Sequence, residues 1–178
     1  DAALTDGLKQ PGVDGSRVLA TGHSEGGIVV ARLAAQNSKV TDVAPLAGGG
    51  PSQLVDLEKL IGKEHAAKMW ADVQSDPMST TKFVWGHPHR RWSTFLASST
   101  LEEATKSKAR FFIAQGTKDT SVDPDSAIVL HDGLKKLDRD VTLLMIEGGD
   151  HGFSTDPNDR TGKGFIDVFD KVRDWFLK

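Results

Sequence analysis

The sequence contains no cysteine. That excludes disulfides, thiolate metal sites and a cysteine nucleophile, but it assigns no compartment. No apolar run approaches the roughly 20 residues that a membrane-spanning helix needs. Basic residues do not cluster. The nearest approach is His87-Pro88-His89-Arg90-Arg91, which is too short for a nucleic-acid footprint. With a formal net charge of −3, nothing directs the chain to nucleic acid or an anionic membrane. There is no internal repeat and no low-complexity segment. No leader pattern opens the sequence, whose first residue need not be the first of the gene product. What is left is 178 residues of ordinary composition, enough for one domain with a real core.

The chain is organised around Leu19-Ala20-Thr21-Gly22-His23-Ser24-Glu25-Gly26-Gly27. Gly22-x-Ser24-x-Gly26 is the pattern of a nucleophile elbow. An apolar β-rich run precedes it and a small-residue apolar helix pattern follows, which is the strand–turn–helix setting such an elbow needs. The turn strains the serine and exposes its hydroxyl. The glycines on either side are expected because side chains there would collide with the turn. The N–H of Glu25 would point where a substrate oxyanion forms. At this composition the bare motif arises by chance about one time in ten. A glycine-rich turn whose serine merely caps a helix gives the same letters. An acid and a histidine on later strand ends decide between the two.

Strands are expected at residues 17–21, 40–47, 110–115 and 141–146. Residues 1–10 read as the tail of a helix, ended by Pro11-Gly12. The helix after Ser24 is apolar nearly all round, which implies burial. Further helices are expected at 124–137, opened by Pro124, and at 165–176, striped by Phe165, Phe169, Val172 and Phe176. Strands alternating with helices give an α/β class with a parallel sheet and flanking helices. Residues 52–108 are too long for a simple connection and read as a helical lid or cap inserted into one domain, 1–178. Within them Leu54, Leu57 and Ile61 share a helical face, as do Ala66, Met69, Trp70 and Val73. Ser99 and Glu102 form a capping box.

Catalytic groups of such sheets gather at the carboxyl ends of strands. Ser24, Asp119 and His151 each follow a strand end, in the order Ser, Asp, His. A serine hydroxyl is a poor nucleophile until a base such as His151 takes its proton. A carboxylate such as Asp119 fixes the imidazole tautomer and stabilises the imidazolium. Asp123 competes as the acid, but it precedes Pro124 and is better placed as an N-cap with proline at N1. His23 is expected as a packed neighbour and Asp150 as a turn residue. His87 and His89 lack a third ligand at metal-binding spacing. Arg90 and Arg91 are expected to solvate a face of the cap. Trp85, Trp92 and Phe95 are candidate substrate contacts, with packing inside the cap as the other reading. Glu147 and His131 are taken as structural.

At these residues the chain resembles the α/β-hydrolase superfamily. The resemblance rests on Gly22-His23-Ser24-Glu25-Gly26-Gly27, on Gln115-Gly116-Thr117-Lys118-Asp119-Thr120-Ser121-Val122 and on Asp150-His151-Gly152-Phe153. It is nearest to the prolyl-oligopeptidase and dienelactone-hydrolase-like branches. The resemblance implies Ser24 as nucleophile, Asp119 as acid, His151 as base and the Glu25 N–H as one oxyanion donor. It implies a serine hydrolase without metal or cofactor, acting on a small-molecule ester or on a peptide. An esterase or acyl hydrolase is the leading expectation and a peptidase the alternative. A non-catalytic piece that keeps the triad letters is the rival from another class. The resemblance runs the length of the chain but covers only about the C-terminal half of that fold. The second oxyanion donor of the family comes from an early loop that has no counterpart here. With the elbow strand first of four, that strand is expected as a bare sheet edge, and an N-terminal segment of the same protein is expected to cover it.

Overall fold

The four apolar runs become strands, and what lies between them becomes helix. The computed structural model describes residues 2–178; Asp1, read above as part of the first helix, lies outside the described residues. In chain order, α1 (Ala2–Gly7) leads to β1 (Leu19–His23), α2 (Glu25–Gln36) and β2 (Asp42–Leu46). Next come α3 (Gln53–Ile61), α4 (Lys63–Ser75), β3 (Phe83–Val84), β4 (His87–Pro88), α5 (His89–Phe95) and α6 (Thr100–Thr105). β5 (Arg110–Gly116), α7 (Asp125–Lys135), β6 (Val141–Ile146) and α8 (Lys163–Phe176) follow.

β1, β2, β5 and β6 form one sheet in that order, every pair parallel. The register sets Gly22 opposite Pro45 and Gly116 opposite Ile146, so the ends of all four strands lie along one edge. Each strand steps to its next neighbour in the same direction, which places the intervening helices on one face. That face holds Val30 and Ala34 of α2 with Ala127, Leu130 and Leu134 of α7, packed on Val43, Phe111, Ile113 and Val141. The other face packs Ala44, Leu46, Phe112 and Ala114 against Val168 and Val172 of α8. α2 is not buried all round, contrary to expectation: Ile28, Val30 and Ala31 are buried, but Val29 stands 64% exposed. β1 begins two residues later than its pattern suggests and runs to His23. Among the described residues, no strand pairs with its outer side.

Phe111 is fully buried at the centre of the first face. Phe111→Ala is expected to cost about 3–5 kcal/mol, because the cavity cannot close around a central strand. Urea denaturation followed by circular dichroism reads this as a lowered midpoint at constant slope.

Residues 52–108 divide into two parts. α3, α4 and α5 enclose a core of their own made of Leu57, Ala66, Met69, Val73, Trp92 and Leu96. α6 instead packs on α2 and α7, with Ala104 in the sheet's own cluster. The Ser99 hydroxyl accepts the Glu102 N–H at 3.1 Å, as the capping box requires.

Candidate active site

β1 delivers the serine. Ser24 follows its last residue and is pinned to β2 by its N–H, which donates to the Leu46 carbonyl at 2.8 Å. Its φ is 55°, a left-handed value that a non-glycine residue adopts at a cost on the order of 1–3 kcal/mol. The close approach that forces this turn is between Gly22 and Gly26, where a Cβ on Gly22 would lie 2.2 Å from the Gly26 carbonyl oxygen. Gly26 does not carry the matching constraint expected of it, since a Cβ there meets nothing within 4 Å. The tight position is Gly27, where a Cβ would lie 2.7 Å from the Cα of Gly48 at the end of β2. Glu25 opens α2, and the N–H of a first helical residue has no acceptor within its own helix.

β5 and β6 deliver the other two groups. Asp119 lies in the turn after β5 with its side chain wholly buried, and His151 lies in the loop after β6, partly open. The His151 Nδ1–H donates to Asp119 Oδ2 at 2.8 Å. Since an ionised carboxylate only accepts, this contact assigns the ring proton to Nδ1 and leaves Nε2 with a lone pair. Asp119 is saturated with donors. Oδ1 accepts the N–H groups of Ser121 (2.7 Å) and Val122 (3.0 Å), and Oδ2 also accepts Gln115 Nε2 at 2.8 Å. Burial works against the charge, but His151, the two backbone N–H groups and Gln115 outweigh it and hold the carboxyl below its ordinary value. Gln115 escaped sequence reasoning. Its signal was one polar residue directly after the apolar run Phe111-Phe112-Ile113-Ala114 and still within the strand.

Asp123 is elsewhere employed. Its Oδ1 accepts the Asp125 N–H at 3.2 Å, and its other oxygen pairs with Lys59. Asp150 Oδ1 accepts the N–H groups of Gly152 and Ser154, which closes the turn carrying His151. His23 packs as expected and does one thing more. Its Nε2–H donates to the His151 carbonyl at 2.8 Å, with the two rings 4.6 Å apart. No hydrogen bond joins Ser24 Oγ to His151 among the described residues. Such contacts are often long without substrate and tighten in the Michaelis complex.

Ser24 and Glu25 open into a cavity of about 260 Å³ that α3 and α5 wall on its other side. Trp85, Trp92, Phe95, Leu57 and Leu60 line it, as do Val122 and the carboxylate-bearing Asp56. Trp92 both packs and lines. It is 8% exposed, and its indole N–H donates to the Val84 carbonyl at 2.7 Å. Trp85 is far more open and meets Trp92 edge to face. Arg91 departs from expectation. Rather than solvating the cap, it forms an ion pair with the Glu25 carboxylate and sits over the rings of Trp92 and Phe95. Among the described residues, no group of three or more histidine and carboxylate side chains could hold a metal.

A model of the prolyl oligopeptidase family matches residues 64–176, more than half of the chain, taking in Asp119 and His151 but not the serine elbow. No curated protein matches the sequence. Among solved structures, the acylaminoacyl peptidase of Pyrococcus horikoshii superposes with a TM-score of 0.67 at 18% identity, over 98% of this chain and 26% of that one. A putative dienelactone hydrolase from Klebsiella pneumoniae superposes at 0.62 and 15% identity, over 99% of this chain and 57% of that one. Acetyl xylan esterase 1 from Thermoanaerobacterium superposes at 0.60 and 18% identity, over 95% and 48%. These likenesses are of fold. The chain spans about a quarter of the length of the acylaminoacyl peptidase.

Proposed function

The chain belongs to the prolyl oligopeptidase family, and on that premise we propose that it is a serine hydrolase that cleaves an ester or amide through an acyl-enzyme. The observation that carries this is the 2.8 Å contact of His151 Nδ1 with Asp119, at the same strand-end edge where Ser24 projects from its elbow. In this reading His151 Nε2 takes the Ser24 hydroxyl proton as Oγ attacks the carbonyl carbon. The oxyanion forms against the Glu25 N–H. His151 then hands the proton to the leaving group, and the C–O or C–N bond breaks. Water repeats the sequence on the acyl-enzyme, with His151 again as base.

An esterase or acyl hydrolase is the leading form. Glu25 supplies one oxyanion donor, and an alkoxide leaving group needs less help than an amine. Peptidase action is the second reading, favoured by the family match and by the fold likeness to the acylaminoacyl peptidase. The substrate in either case is a small-molecule ester or a peptide, and the triad itself asks for no metal or cofactor. Residues 52–96 serve as the cap, with Trp85, Trp92 and Phe95 contacting substrate.

A fluorophosphonate probe tests the proposal. The expected result is a single covalent adduct on Ser24, found by peptide mass spectrometry and lost in His151→Ala. Folded protein that takes no label would make the chain a non-catalytic relative. A panel of p-nitrophenyl esters and aminoacyl nitroanilides then separates esterase from peptidase.

A further inference from the structure

The cavity beside Ser24 is walled by Trp85, Trp92, Phe95, Leu57, Leu60 and Val122, yet Asp56 also lines it. Asp56 is 4% exposed and projects from α3. Its Oδ1 accepts the Ser126 hydroxyl from α7, and Oδ2 faces Gln53 Nε2 at 3.5 Å; the Gly50 N–H also donates to the carboxylate. All three donors are neutral. The nearest cation, Lys59 on the same helix, is bound to Asp123 and lies 3.8 Å from Asp125. Asp56 is thus a buried carboxylate, held in place by polar groups, without a counter-ion of its own. A buried charge is expensive unless an opposite charge reaches it. Here the open route to it is the cavity that begins at the nucleophile.

We propose that Asp56 makes this cavity selective for a substrate group that combines an aliphatic stem with a terminal ammonium, such as a lysine-like side chain or an alkylamine. This rests on the hydrolase reading above. The stem lies against the tryptophans, phenylalanine and leucines, and the ammonium meets the carboxylate out of water. Other charges bear on Asp56. Lys59 favours its ionised form, and Asp123 opposes it. From the elbow side Glu25 also lines the cavity, but Arg91 neutralises it. Burial is the largest influence and pushes the Asp56 carboxyl up to about 6. The carboxylate is therefore charged in neutral solution and becomes neutral as the pH falls through that value.

The experiment compares p-nitrophenyl esters of N-acetyl-lysine and N-acetyl-norleucine, which differ in the terminal ammonium. At pH 8 the ratio of kcat/KM, lysine over norleucine, is expected to be about tenfold or more. It should fall toward one as the pH drops through about 6, because kcat/KM reports the free enzyme and the ratio cancels whatever pH dependence the two esters share. Asp56→Asn should bring the ratio near one at every pH. If that variant fails to fold, the wild-type pH profile carries the test alone. In parallel, n-pentylamine and 1-pentanol are titrated calorimetrically into Ser24→Ala, where no chemistry intervenes; the amine should bind more tightly. A ratio near one in wild type, or a ratio independent of pH and of Asp56, overturns the selectivity while Ser24-dependent turnover keeps the hydrolase. Tighter, Asp56-dependent binding of the amine without turnover of either ester upholds the cation site and removes the hydrolase reading instead.

Discussion

Ser24→Ala is expected to abolish turnover of any ester the protein accepts, by roughly 10⁶-fold in kcat, and to leave it folded. The loss is large because serine and histidine act as one unit. Without Oγ there is no acyl-enzyme, and what survives is the binding and the oxyanion contact, worth on the order of 10³-fold over water. The fold should stand because the Ser24 side chain makes no cap hydrogen bond. Its N–H to the Leu46 carbonyl, which anchors the elbow, is backbone and survives. Alanine at φ 55° bears much the same strain as serine. Initial rates beside a thermal melt settle both halves. Turnover retained within about tenfold by a folded variant would remove Ser24 from the chemistry.

Asp119→Asn is expected to lower kcat by about 10⁴-fold. An ionised Asp119 accepts from four donors: His151, Ser121, Val122 and Gln115. An amide can point its oxygen at the two backbone N–H groups, and then its NH₂ faces His151. To accept from it, Nδ1 must be the unprotonated nitrogen, so Nε2 carries the proton and cannot serve as base. The cost falls on kcat more than on KM, since Asp119 does not line the cavity beside Ser24. Asp123→Asn is the control. It loses the Lys59 pair but keeps an amide oxygen for the Asp125 N–H, so a neutral ester should be hydrolysed within about twofold of wild type. Silence at Asp119 with a severe effect at Asp123 would reverse the choice of acid.

The parts of the molecule legible in the sequence are those fixed by local pattern. β6 falls on residues 141–146 as read, and β5 extends the reading by one residue, to Gly116. An apolar run bounded by turn residues needs nothing distant to declare itself a buried strand. The turns after those strands were equally plain, and they put Asp119 beside His151. What escaped depends on residues far apart in the chain. Arg91 meets Glu25 across 66 positions, and Asp56 meets Ser126 across 70. No periodicity announces either pairing. The hairpin of β3 and β4 has two residues in each strand, too few to show alternation. α6 reads like any other short capped helix, and only packing on α2 and α7 assigns it to the sheet rather than to the cap. At the elbow, the motif drew attention to Gly26, while the steric demand came from Gly48, which sequence spacing does not connect to Gly27.

The edge position of β1 bears on how Ser24 moves. The Ser24 N–H and the Val18 carbonyl both turn toward β2 and its preceding loop. By the two-residue alternation of a strand, the backbone groups of Leu19, Thr21 and His23 turn the other way. Those outward N–H groups have no strand to protect them among the described residues, so their hydrogens exchange with solvent ahead of those in β2 and β5. Ser24 is thus mounted at the margin of the sheet, while Asp119 follows an interior strand and His151 the strand at the far side. An extended segment that zipped onto β1, whatever its source, would stiffen the strand that carries Ser24 and leave those that carry Asp119 and His151 untouched. Occupancy of that margin would set how firmly the Ser24 turn is held, and exchange rates at Thr21 and His23 would be its gauge.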